Sequence, residues 1–551
     1  MRNLLTSLIS IFFLVFTIIP TQAITDVEIE SLVTTMTIDE KVGQLLMFGI
    51  GGTNVGQVAE AHITKRLVGG LVLFNKNVKN PVQLANLTTG LQQLSLKTPK
   101  GIPLLIAMDQ EGGSVVRMKK GATVLPGNLA LGATRSIVLA EKAGRLTAVE
   151  LAAVGVNMNF APVIDVNTNP KNPVIGVRSF GESPDLVAQM GTAYIRGLQR
   201  NGVLATAKHF PGHGDTNVDS HKKLPIITHD NKRIETVELR PFRAAIKANV
   251  AAIMSAHILY PELDPELPST LSYNILTKLL RQKLGYKGLI ITDDIEMQAI
   301  DANYESGKAA VMAIQAGADI VLVPWNLKKQ QRVYNTLRQA VKNGRISETR
   351  LNQSVRRILK SKNDCNAFER KEEYRQTSTP FEEPIEIVGN YQHRETAQLI
   401  ASQAITILKN DDNILPLSTD SKDPLLLLSP SRLFSNTFLK AHPELEHITP
   451  VIIPPKVNPE YILPVLLNNN AKLIVAGIQN AQQADLIHQF SQKTNKPIIV
   501  IMLSSPYLIA KCPDVKGAIA AYDDNYYSLF SAIEILLGKK QAVGKLPVTI
   551  P

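Results

Sequence analysis

Thirteen residues from His209 to His221, HFPGHGDTNVDSH, hold three histidines, two aspartates, an asparagine and two glycines. A metal site, a phosphate cradle and a proton-transfer loop all draw on these residue types. Zinc held by His209 and His213 would want a helix to bring both imidazoles to one face, and Pro211, Gly212 and Gly214 argue against one. A phosphate loop would end in Gly-Lys-Ser/Thr, which is missing. Asp219 and His221 stand at i and i+2, a spacing that points both side chains the same way in an extended segment. A carboxylate beside an imidazole raises its basicity and fixes its tautomer, which suits proton transfer. The glycines are expected to let this loop move over a bound substrate.

Such a loop needs a scaffold, and the surrounding chain supplies one. Eight apolar runs, VGQLLMFGI, VGGLVLF, IPLLIAMD, VNMNFAPV, VLATAKHF, AAIMSAH, GLIITDD and ADIVLVP, alternate with amphipathic helix-period segments. Runs apolar on both faces and separated by helices predict a parallel sheet, and eight of them predict a TIM-like (β/α)8 barrel. An open doubly wound sheet is the rival, but no G-x-G-x-x-G follows the first run. Barrel enzymes place their chemistry at the C-terminal strand ends. Those ends carry Asp109 with Glu111 and then Arg117, Arg178 in GVRSFGE, Lys208-His209, His257, Asp293-Asp294, and Trp325, the single tryptophan. An Asp-Asp pair can equally cap a helix and a lone arginine can sit on the surface. Charges of both signs gathered on one rim have no simple stabilising role.

The chain of 551 residues is long enough for two domains or more, with 44% hydrophobic and 19% charged residues. The opening MRNLLTSLISIFFLVFTIIPTQA reads as a secretory signal cut after Ala23, with a transmembrane anchor as the rival reading. The protein is therefore expected to be exported, periplasmic or secreted, with no stable membrane insertion after cleavage. The expected organisation is a signal over 1–23, a barrel over 24–360, a linker over 361–394 and a smaller α/β sandwich domain over 395–551. The runs SQAITILKN, PLLLLSPS, AKLIVAGI, KPIIVIMLSS and KGAIAAYDD supply the second domain's strands. Two cysteines, Cys365 and Cys512, permit at most one bridge and no framework. The net charge of +11 is scattered and not interleaved with aromatics, which argues against nucleic-acid binding and at most biases the protein toward acidic polymers.

KHFPGHGDTNVDSH, with DQEGGSVVR before it and ITDDIEM after it, resembles the β-N-acetylglucosaminidases of glycoside hydrolase family 3. SQAITILKNDDNILPL and GKLPVTIP resemble the start and end of that family's second domain, so the resemblance spans nearly the whole mature chain. It implies a retaining exo-glycosidase acting on N-acetylglucosamine-containing glycans such as peptidoglycan fragments or chitooligosaccharides. By the same resemblance Asp293 is the nucleophile, Asp219 and His221 form the acid/base dyad, and Asp109, Arg117, Arg178, Lys208 and His209 bind the sugar. No metal or organic cofactor enters such a mechanism. Glu296 departs from the family pattern, which has a small residue there. Three rival readings stay open: a β-glucosidase of the same family, a phosphorylase using phosphate as acceptor, and an exported sugar-binding protein without turnover.

Overall fold

The computed structural model describes residues 23–376, 384–418, 423–441 and 447–551; the signal expected over 1–23 lies outside these except for Ala23. Eight short strands build a barrel: β1 (Leu46–Gly49), β2 (Gly70–Val72), β3 (Leu105–Met108), β4 (Met158–Asn159), β5 (Leu204–Phe210), β6 (Ala252–Ser255), β7 (Leu289–Thr292) and β8 (Val321–Val323). They pair in parallel in chain order, with Phe48 opposite Leu71, Leu71 opposite Ile106 and Ile253 opposite Ile290. β8 pairs with β1, Met47 opposite Leu322, and meets β7 at an Ile291–Ile320 bridge that completes the ring. Each expected run yields one strand. Every strand residue is buried, as strands covered on both faces require.

Helices return the chain between strands. Pro184–Gln199 shows why such segments fold: Ser183 accepts the Leu186 amide, Pro184 occupies the first turn, and Val187, Met190, Tyr194 and Leu198 form its buried stripe. At the barrel base, fully buried Asp319 accepts from Arg281, Arg357, Ser354 and the Ile290 amide, tying β7 to the helix Glu348–Asp364.

Lys362 on that helix is buried and donates to Gln44 Oε1 at 2.6 Å. Burial pushes its pKa down to about 7. An unfolded lysine titrates at roughly 10.4, so between these values the unfolded chain binds more protons and stability rises with pH. Lys362→Met is expected to raise the melting temperature at pH 7 by roughly 2–6 °C. That gain should shrink toward pH 10 in thermal denaturation; a gain that grew with pH would contradict this assignment.

The second domain is a six-stranded sheet of β9 (Thr406–Asn410), β10 (Leu425–Ser429), β11 (Ile448–Ile452), β12 (Leu473–Ile478), β13 (Ile498–Met502) and β14 (Gly517–Ala520). Its order is β9-β14-β13-β12-β10-β11, parallel except for β9. Leu425 and Leu427 face Phe434, Phe438 and Leu529, whereas Leu426 and Leu428 join Leu463, Ile487 and Phe490 on the other side. Helices thus cover both faces. The sequence runs lack β11: it is an edge strand, largely exposed and carrying Pro450, so it has no apolar signature.

Residues 361–394, expected as a linker, include the short helices Lys371–Gln376 and Pro384–Ile387, and their Phe368 and Val388 join the barrel core. Leu129, Ala130 and Ala133 of the barrel pack against Ala404, Ala520, Tyr522 and Val548 of the second domain. The final segment returns to the barrel, where Arg135 donates to the Leu546 carbonyl at 2.8 Å and the Glu182 amide to the Pro547 carbonyl at 3.1 Å. Cys365 and Cys512 are both free and buried, one in the barrel core and the other in the second domain's.

Candidate active site

A cavity of about 300 Å³ opens at the C-terminal rim of the barrel. Seven of the eight expected site residues line it: Asp109, Arg117, Arg178, Lys208, His209, His221 and Asp293. Asp219, the eighth, stands behind His221. Strand geometry explains how β5 supplies two of them. Its register with β6 passes from Lys208–Met254 to Phe210–Ser255, leaving His209 over as a bulge, so consecutive side chains both reach the cavity.

One wall is a chain of ion pairs. Asp109 takes Arg117 on Oδ2 at 3.0 Å and Lys208 Nζ on Oδ1 at 2.9 Å. Lys208 also reaches Glu111 at 2.8 Å, and Glu111 holds Arg178 with both oxygens, at 2.8 and 2.9 Å. Burial opposes the charge on Lys208, yet Asp109 and Glu111 more than offset it and its pKa is raised. Burial likewise acts against ionised Glu111, but Arg178 and Lys208 hold its carboxyl far below the usual range. These are fixed charges that offer the cavity both donors and acceptors.

Asp165 was not among the expected site residues. It is fully enclosed, and it accepts from His209 Nδ1 at 2.8 Å, the His209 amide at 3.1 Å and the His213 amide at 2.8 Å. It therefore orients His209 and anchors the start of the opening loop. His213 has both ring nitrogens engaged, with Thr216 Oγ1 at 3.0 Å and Ser220 Oγ at 3.1 Å.

Among the glycines expected to let the loop move, one is also required by packing. A Cβ on Gly214 would lie 1.7 Å from the Val166 carbonyl oxygen, so this glycine permits a close approach to the barrel. The dyad is built differently from an extended i, i+2 pair. Asp219 heads a turn, its carbonyl accepting the Lys222 and Lys223 amides. Its Oδ1 accepts the His221 amide at 2.9 Å and Nδ1 at 2.8 Å. A carboxylate only accepts, so Nδ1 carries a proton and Nε2 is left for a ligand. Burial works against the Asp219 charge, but the His221 amide and ring outweigh it and the carboxyl stays below its ordinary range.

Two carboxyls adjoin at the end of β7 with opposite ionisation. Burial would raise Asp293, but His257, His209, the Asp294 amide and Lys208 together hold it low. Asp294 is pushed up to about 8, first by burial and also by Glu296 and Asp293. At neutral pH Asp293 is thus the charged member. His257, buried, donates from Nε2 to the Asp294 carbonyl at 2.8 Å, and its Nδ1 lies 2.8 Å from Thr270 Oγ1.

Trp325 forms the outer lip. Its indole donates to Asp294 Oδ2 at 2.9 Å, and its ring lies 4.1 Å from that of Phe74. Glu296, expected from the resemblance to depart from the family pattern, accepts the Trp325 amide at 2.6 Å and the Asn326 amide at 3.0 Å. Removing it should free the lip. Glu296→Ala is expected to raise KM roughly tenfold, the lower end for a charge-assisted hydrogen bond. Because Trp325 is the only tryptophan, its fluorescence should also shift to the red. Unchanged emission and KM would show that Glu296 does not hold the lip.

Residues 37–361 match the Glycosyl hydrolase family 3 N terminal domain. Beta-hexosaminidase A of Pseudoalteromonas piscicida is 34% identical over 549 aligned positions, covering 89% of this chain and 90% of that protein. A beta-hexosaminidase of Nitrosomonas eutropha is 40% identical over 285 positions, 50% of this chain and 80% of that protein. The solved structure of a family 3 beta-N-acetylglucosaminidase from a Paenibacillus species superposes with a TM-score of 0.86 at 36% identity, covering 94% of this chain and 99% of that one. A beta-glucoside phosphorylase superposes with a TM-score of 0.83 at 26% identity, covering 95% and 96%. Among the described residues no helix is long and apolar enough to cross a membrane.

Proposed function

The chain belongs to glycosyl hydrolase family 3, and from that premise we propose that it is a retaining exo-glycosidase that releases terminal β-linked N-acetylglucosamine. The observation that carries this reading is one cavity holding ionised Asp293, the His221–Asp219 pair and the Asp109–Lys208–Glu111–Arg178 wall. The wall takes the hydroxyls of a chain end, which fits exo action. Asp293 attacks the anomeric carbon and the C–O bond to the leaving group breaks, giving a glycosyl-aspartate ester. His221, protonated, delivers its Nε2 proton to the departing oxygen. The neutral imidazole then takes a proton from water, which attacks the ester and frees both sugar and Asp293. Asp219 holds the ring and compensates its positive charge throughout.

The beta-hexosaminidases and the beta-N-acetylglucosaminidase among its relatives support the N-acetylated sugar over glucose. Hydrolysis of 4-nitrophenyl N-acetyl-β-glucosaminide should exceed that of the glucoside by at least about 10²-fold, a selectivity open to a site that hydrogen-bonds the acetamido group. A preference for the glucoside overturns the reading. The structural likeness to a phosphorylase favours one second reading, transfer to phosphate, since a neutral histidine does not repel an incoming anion. Identifying the product in phosphate buffer separates the two: free sugar for hydrolysis, sugar 1-phosphate for phosphorolysis.

The substrates we assign are peptidoglycan fragments or chitooligosaccharides outside the cytoplasm. The apolar opening segment supports export, and Ile24, next after the proposed cut, is already held by Asn363 through its amide at 3.0 Å and its carbonyl at 3.1 Å. A mature N-terminus at Ile24 in an exported fraction is the expected result. Uncut protein in the cytosol contradicts it.

A further inference from the structure

A second cavity, about 250 Å³, lies where the two domains meet. Its second-domain wall comes from Gln479, Ser504 and Asp523, which follow the neighbouring parallel strands β12, β13 and β14. The carboxyl ends of such strands are where open α/β sheets bind ligands. The barrel side is the loop after β3, where Gly112 and Gly113 have φ of +90° and +56°. A Cβ on Gly113 would sit 2.9 Å from Gly127 Cα and 3.2 Å from Asp523 Oδ2, so only bare backbone fits here.

Two buried polar groups stand out in this wall, on residues 6% and 2% exposed: the Asp523 carboxyl, which meets only backbone amides, that of Gly127 among them, and Asn128 Oδ1, which has no partner among the described residues. Asp523 Oδ1 accepts the Asn525 amide at 3.0 Å, and Asn128 Nδ2 donates to the Arg178 carbonyl at 2.7 Å. A buried unpaired polar atom carries a desolvation cost that a ligand with hydrogen-bond donors would relieve. The charge of the lining selects among ligands. Arg178, the one cation of the lining among the described residues, is bound to Glu111; Asp524 stands beside them, as does Asp523, whose carboxyl burial pushes up to about 7. Phosphates and carboxylates are disfavoured, and a neutral, hydroxyl-rich group is favoured.

We propose that this cavity is a second saccharide-binding site, about one sugar unit in size. It shares the Arg178–Glu111 pair with the first cavity as a common wall. The proposal rests on the hexosamine reading for the identity of the sugar. The occupant is either a free N-acetylhexosamine or a further unit of an oligosaccharide.

Full-length Asp293→Asn protein, which should not turn substrate over, is crystallised and soaked separately with N-acetylglucosamine and with triacetylchitotriose. Calorimetric titration of the same protein gives the stoichiometry. Sugar in both cavities, with two sites per chain, is the expected result. Filling of the second cavity by the monosaccharide identifies an independent site, and filling by the trisaccharide alone identifies a subsite for the chain. Asp523→Leu should weaken second-site binding at least tenfold. Ser504→Tyr, which fills the cavity from its rim, should do the same if Asp523→Leu does not fold. Sugar confined to the first cavity at saturation overturns this proposal and leaves the hexosaminidase reading standing. Sugar in neither overturns both.

Discussion

Asp293→Ala is expected to lower hydrolysis of 4-nitrophenyl N-acetyl-β-glucosaminide by on the order of 10⁴-fold or more, the scale on which a covalent mechanism loses its nucleophile. The prediction rests on ionisation as much as on position. Asp293 is held charged by the imidazoles and Lys208 around it, whereas Asp294, one residue on, is pushed up to about 8 and stays protonated at neutral pH. Asp294→Asn imitates that neutral form and keeps an acceptor for the Trp325 indole, so its loss should stay within about tenfold. Azide entering the space left in Asp293→Ala is expected to restore turnover and give the α-glycosyl azide. Equal losses in the two variants, or no rescue, would remove Asp293 from its role.

His221→Ala should separate substrates by their leaving groups. General acid–base assistance is worth about 10²–10⁴-fold. A disaccharide, whose sugar alkoxide needs a proton to depart, should lose most of that factor in the first chemical step. A nitrophenyl glycoside, whose phenolate leaves almost unaided, should lose little in that step and accumulate the glycosyl-enzyme, since the second step still lacks its base. Asp219→Ala should reproduce the pattern in weaker form, because Nδ1 loses the partner 2.8 Å away that sets its tautomer and orientation. Pre-steady-state bursts with a series of aryl leaving groups measure the first step alone. The same loss across that series would refute the dyad.

The barrel was legible because its strands are buried on both faces and announce themselves as apolar runs between amphipathic helices. β11 was not, since an exposed edge strand with Pro450 carries no such pattern. Within the site, the motif residues were readable one by one, while their partners were set by the fold. Glu111 stands in plain view in DQEGG, yet its use depends on Arg178, 67 residues away. Asp165 lies inside the apolar stretch APVIDV and looks like part of a strand's end. Only the folded chain brings it to His209 and His213, 44 and 48 residues on. Glu296 stood out in sequence as an unusual residue with no assigned task; its two amide contacts to Trp325 and Asn326 supply one. The meeting of Asp523 with the Gly112–Gly113 loop depends on domain packing, which no local pattern encodes.

The most direct test is to trap the intermediate. Full-length enzyme incubated with a 5-fluoro-N-acetylglucosaminyl donor should gain the mass of one fluorosugar, and peptide mapping should place that label on Asp293. A label on Asp294 or Glu296, or turnover with inversion at the anomeric carbon and no adduct, would contradict the account.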